Sequence, residues 1–265
     1  MNIFVREIKS NMKSLIIWCI GMIAMIGGGM GKFAGFSESG QSIKDIIDIY
    51  PKSLLNILGI SKFDLSTFIG FYGVLFLYLI LIAAVHAVMI GSYTISKEEI
   101  DKTSEFLLVK PISRSKVVTT KLLACLLNII ILNIVTLIAS LAAVNYFNEN
   151  DAILANVLML MLGMFCLQLI FMCIGSLLAS ILKNPKDTSS ISTGILLITF
   201  IIYMITNMYD NLENLKYFTP FKYFEAELII LGKGINPVFI ILSFMIIVIS
   251  LIGTYVFYKN RDLKI

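Results

Sequence analysis

"FIGFYGVLFLYLILIAAVHAVMIGSYTI", residues 68–95, decides the fold: it is an unbroken apolar run without one Asp, Glu, Lys or Arg. A helix needs about 20 such residues to cross a bilayer. Working outward, five more runs of this kind occur: Leu15–Gly31, Leu122–Phe147, Ile153–Leu182, Ser190–Met208 and Val238–Tyr258. None holds a formally charged side chain, and lipid leaves an open backbone unsatisfied, so helices are the expected spanning form. The composition agrees, since 14% charged residues is well below the roughly 25% of soluble chains. The expected fold is an all-α integral membrane protein with six spans, organised as one transmembrane domain over residues 1–265. Residues without resolvable repeats or low-complexity tracts connect them.

Six spans place both termini on one side. The segments on that side carry 14 of the 21 Lys and Arg and 7 of the 17 Asp and Glu, a net +7 against −3 opposite. Basic loops stay cytoplasmic, so both termini are expected in the cytoplasm. The formal net charge of +4 reflects this asymmetry and gives no reason to expect nucleic-acid binding. Cys19, Cys125, Cys166 and Cys173 all fall inside spans, without metal-ligand spacing, and read as packing residues. No metal site is expected.

Three shorter features flank the spans. At the N-terminus, Phe4, Val5, Ile8, Met12 and Leu15 form one helical face opposite Arg6, Glu7, Lys9 and Lys13. That pattern predicts an amphipathic helix lying in the membrane interface. After the first span, Ile43, Ile46, Ile47 and Tyr50 repeat at helical spacing before Pro51, predicting short amphipathic helices on the outer face. Before the last span, Tyr217, Phe218, Phe221, Tyr223 and Phe224 surround Pro220. Either a re-entrant helical pair or a surface loop anchored by aromatics at the headgroups fits this cluster.

Ion-driven transporters keep ionisable groups inside the membrane. Here, cysteines and tyrosines aside, the spans offer only His86, for which an interhelical hydrogen bond is the ordinary role. Asn133, Thr136 and Ser140 form a polar stripe on the third span, and Gln168 faces inward on the fourth. They either glue helices or line a substrate path. "GGGMGKF" at 27–33 imitates a phosphate loop, but Ile26 and Phe33 stand where that motif needs Gly and Ser or Thr. Gly27 and Gly31 instead form a G-x-x-x-G suited to close helix approach. Energy for any uphill transport must therefore come from another polypeptide.

The place to receive it is "KEEIDKTSEFLLVKPISRSK", residues 97–116. Ser96 to Glu99 reads as a capping box for a cytoplasmic helix, with Glu98, Glu99 and Asp101 in its first turn. Pro111 ends it, and Ser113 or Ser115 can cap the third span. Phe106, Leu107, Leu108 and Ile112 supply apolar contacts, with Glu105 and Arg114 available to a partner.

"EEIDKTSEFLLVKPISRSKVVTTKLL" resembles the segment between the second and third spans of type-2 ATP-binding-cassette (ABC) exporter permeases. Glu98 or Glu99, Thr103, Glu105, Leu107, Leu108, Pro111, Arg114 and Lys121 match its pattern, while Lys102 stands where Gly is frequent. "LGISKFDLSTFIGFYG", "TPFKYF" and the Arg-Asp-Leu of "FYKNRDLKI" extend the likeness across the chain. The resemblance implies a bacterial plasma-membrane permease that pairs with a second copy or a close paralogue. It also implies two copies of a separate ATPase, which supply ATP and magnesium, no cofactor being held by the permease itself. The segment 97–116 would be the coupling helix, with Phe106 among its contacts. Gly27, Gly31, Ser189, Ser192 and Thr193 are candidate dimer contacts. The expected cargo is amphipathic: a peptide, an antibiotic or a lipid-like molecule. The alternative is an ATP-independent immunity or scaffold protein that sequesters a toxic peptide.

Overall fold

The computed structural model describes residues 3–39, 55, 60, 63–103, 112–147, 151–232 and 234–261. Among them there is no strand. Six long helices dominate: α1 (Ile3–Ser39), α2 (Phe68–Ile100), α3 (Arg114–Tyr146), α4 (Asp151–Ile181), α5 (Thr188–Met208) and α6 (Pro237–Asn260). All six are long and apolar enough to cross a membrane. The expected outer helices around Ile43, Ile46, Ile47, Tyr50 and Pro51 lie outside the described residues.

The helices begin where local chemistry starts them. Thr67, extended at φ −99° and ψ 148°, accepts the Gly70 N–H at the head of α2. Ser113 accepts the Lys116 N–H at 3.3 Å and opens α3, so of the two serines it is the cap. Asn236 accepts from Val238 at 3.0 Å, and Pro237 occupies the first turn of α6. Each device satisfies a backbone donor that the first turn leaves without a partner.

The centre of the bundle is the α2–α4 pair. Both helices are mostly buried, whereas α1, α5 and α6 keep one broad face outward. Gly91 and Gly175 set their separation. A Cβ at Gly91 would enter the Met172 carbonyl, and one at Gly175 would meet the Val88 carbonyl. Small residues let helices approach where lipid gives no hydrophobic incentive to associate. Helix α1 packs mainly on α3, α5 on α2, and α6 on α4.

Two expectations change at the bundle ends. Helix α1 is continuous from Ile3, so the N-terminal residues extend the first span rather than forming a separate interfacial helix. Its buried face is Ile3, Glu7, Asn11 and Leu15, while Val5 and Met12 point outward. Glu7 is turned inward because it has an ion-pair partner there. On the other end, residues 210–230 form 3₁₀ turns and one short helix. Phe221 packs on Phe171 and Phe200, and Tyr223 stacks on Phe239 at 4.9 Å. Three of the five aromatics are thus sunk into protein, with only Tyr217 and Phe218 exposed.

Candidate functional site

The end of the bundle that holds both termini carries a buried ionic network. It is built by Arg6 and Glu7 of α1, Lys97, Glu98 and Glu99 of α2, Lys121 of α3, and Arg261 just past α6. Glu7 and Lys121 are fully buried, and Lys97, Glu98 and Glu99 nearly so. The Glu98 carboxylate is shared: one oxygen accepts from Arg6 at 2.9 Å, and the other accepts from Lys121. Lys121 also donates to the Thr94 carbonyl at 2.5 Å. Glu7 pairs with Lys97, and Arg6 lies 3.2 Å from Glu7 as well. Glu99 accepts from Arg261 at 2.9 Å. Charges removed from water this completely are tolerated only when paired and hydrogen-bonded.

The network corrects the reading of Ser96–Glu99 as a helix start. Those residues are the last turns of α2, and the Ser96 hydroxyl donates back to the Ser92 carbonyl at 2.9 Å. Helix α2 stops one residue later, at Ile100, by a Schellman closure: Thr103 N–H reaches the Glu98 carbonyl at 2.8 Å, with Lys102 at φ 53°. A left-handed residue in this position is most often glycine, since only glycine adopts it without a Cβ penalty. Acidic residues at a helix C-terminus oppose its dipole. Here Lys121, Arg6 and Arg261 offset that conflict.

Arg114 is also reassigned. Rather than standing free for a partner, it donates to the carbonyls of Lys259 and Arg261 at 3.0 and 2.6 Å. It closes the end of α6, whose last carbonyls have no intrahelical donor. Glu105, Phe106, Leu107, Leu108 and Pro111 lie outside the described residues. Thr103 and Ile112 mark the ends of the segment between α2 and α3, and Ile112 packs on Ile3 and Val117.

Elsewhere the polar residues knit the central helices together. Tyr72 donates to Ser140 at 2.7 Å, joining α2 to α3. Asn133 donates to Gln168, and Gln168 donates to the Ala83 carbonyl at 3.3 Å, joining α3, α4 and α2. Thr136 bonds its own helix at Leu132. His86 departs from the hydrogen-bonding expectation. Its buried Nδ1 has no hydrogen-bond partner among the described residues, and the ring meets Trp18 edge-on at 5.4 Å. Among the described residues a Cβ at Gly27 or Gly31 would meet nothing within 4 Å, and the two line an open groove with Ala139, Ala142 and Ala143. Ser189 accepts from Ser92 at 3.2 Å, Ser192 is buried and Thr193 half-buried.

Six helices are long and apolar enough to span a membrane, and a buried ion pair joins the second to the third. The chain matches the ABC-2 family transporter proteins over residues 1–263. It belongs to that family. The protein is therefore a multi-pass membrane subunit of an ABC transporter, and such permeases work with an ABC ATPase. No curated protein matches the chain. The partnerships of Arg6, Glu7, Lys97 and Arg261 in the permease's network escaped the sequence reading. The one available signal was the spacing Ile3, Glu7, Asn11, Leu15, which puts an acid on the buried stripe.

Proposed function

We propose that this permease is the membrane half of an ABC exporter in a bacterial plasma membrane, moving an amphipathic peptide, antibiotic or lipid-like molecule outward. Residues 1–265 act as a single permease domain. Two copies of a separate ATPase bind ATP and magnesium, and the permease pairs with a second copy or close paralogue. Residues 97–116 are the coupling segment, with Glu105 and the Phe106–Leu108 run among its contacts to the ATPase. The observation that carries this reading is the Glu98–Lys121 pair. It joins the helices on either side of the segment, so a push delivered to either helix is passed to both. Two arrangements of the permease halves, one favoured by ATP-bound ATPase, then suffice for alternating access. An amphipathic cargo suits a bundle whose buried charges lie toward its two ends, the polar groups farther along the spans, Tyr72, Asn133, Ser140 and Gln168, being uncharged.

Affinity capture of the tagged permease in mild detergent tests it. An ABC ATPase should come with the wild type and be lost from Glu105→Arg. Failure to capture one under any gentle condition would overturn the exporter reading in favour of an ATP-independent immunity or scaffold protein.

A further inference from the structure

Arg261 stands 162 residues along the chain from Glu99, yet the fold places it between the two helices that frame the coupling segment. Its guanidinium donates through Nη2 to Glu99, in the last turn of α2, and through Nη1 to the Ala179 carbonyl near the end of α4. Its backbone carbonyl accepts from Arg114, in the first turn of α3, at 2.6 Å. The backbone makes this possible: at φ −76° and ψ 130°, Arg261 has left the helix, so its carbonyl turns sideways toward α3. The Arg261 side chain is 10% exposed and that of Glu99 is 3% exposed, so water competes little for either group.

We propose that Arg261 is a positioning residue for ATPase coupling, holding Glu99 where the chain enters the coupling segment and Arg114 where it leaves. The inference rests on the exporter reading for its consequence, but not for its geometry. One residue of the C-terminal tail thereby ties both ends of the segment to α4 and α6. The Glu98–Lys121 pair is a second tie between the same helices and does not pass through the tail. Loss of Arg261 should therefore loosen the segment's ends without dissolving the bundle. An arginine suits this place because its planar fork serves two acceptors in fixed directions, which a lysine cannot do.

Hydrogen exchange on the purified full-length protein tests the geometry, using Arg261→Ala, Arg261→Lys and Glu99→Gln. Losing a hydrogen bond to a charged group should speed local opening by about tenfold or more. The faster exchange in these variants should be confined to residues 97–103 and to the ends of α4 and α6, because each keeps the Arg261 carbonyl. Arg114→Ala, which removes the donor to that carbonyl, should speed exchange at residues 112–117 and the end of α6. Arg261→Lys should recover part of the protection. Exchange that rises only at the end of α6 would reduce Arg261 to a helix terminator and overturn the proposal. So would a rise spread evenly through every span. If Arg261→Ala cannot be purified, Glu99→Gln, which keeps the side-chain volume, must reproduce the α2 pattern or the proposal fails. ATPase capture by the same variants supplies the functional arm. Wild type that captures no ATPase defeats the exporter reading and leaves the exchange result standing. Wild type that captures it, with Arg261→Ala capturing equally well, defeats the positioning role alone.

Discussion

Lys121 of α3 donates to Glu98 of α2 inside the bundle, with the lysine wholly shielded from solvent and the glutamate almost so. Such a pair is weak evidence of stability in itself, because desolvation offsets most of the attraction. Its asymmetry is what experiment can read.

Removing Lys121 leaves one Glu98 oxygen buried without its donor, while Arg6 still serves the other. Lys121→Ala should therefore destabilise the protein by about 1–3 kcal/mol, less than the cost of a wholly uncompensated buried charge. The double variant Lys121→Met, Glu98→Gln should recover part of this, since it leaves no unpaired charge on either helix. Thermal unfolding midpoints in one detergent compare the two. A single variant as stable as wild type would contradict the burial of the pair.

The α2–α4 crossing predicts a sharp contrast between glycines. Gly91→Ala would drive a methyl into the Met172 carbonyl, whereas a Cβ at Gly21 meets nothing within 4 Å. The first should cost about 1–3 kcal/mol or more as the backbones separate, and the second should stay within about 0.5 kcal/mol of wild type. Equal effects on the unfolding midpoint would mean that the two helices do not cross so closely.

Lys102 holds a left-handed conformation at φ 53° and is exposed, so its side chain contributes little packing. Lys102→Gly should be neutral or gain up to about 1 kcal/mol, because the Cβ strain disappears. Lys102→Val should lose stability. If glycine destabilised more than valine, the Schellman closure at Thr103 would be wrong.

Asn133 and Gln168 bond to each other across α3 and α4. A double-mutant cycle with Asn133→Leu and Gln168→Leu should return a coupling of about 0.6–2 kcal/mol, the range for polar pairs between spans. Additive effects would show that each serves a separate purpose.

The spans were legible because their physics is local. A run such as residues 68–95 has no other stable home, whatever surrounds it, and Ser113, one of the two serines offered as a cap, marks the start of the third span through a contact three residues on. The errors share one cause. Ser96–Glu99 reads as a helix start only while its neighbours are unknown; three cations from α1, α3 and the chain's end make acids tolerable at a helix C-terminus. Arg114 looked free because its acceptors are carbonyls about 145 residues away. Glu7 looked solvated because half of its helical face is charged, and nothing nearby in sequence announces Lys97 as its partner.

By itself, then, the amino-acid sequence determined six spanning helices, the basic asymmetry between their two ends, and the place of the charged segment between the second and third. Hydrophobicity, capping and charge bias act over a few residues or over the whole membrane, and both scales can be read from one chain. Only the tertiary structure decided which charges are buried, which glycines lie at a crossing, and that Arg261 sits between Glu99 and Arg114. Those outcomes depend on which helix faces arrive together, and a side chain's partner is set by the packing of the bundle rather than by its own neighbours in the chain.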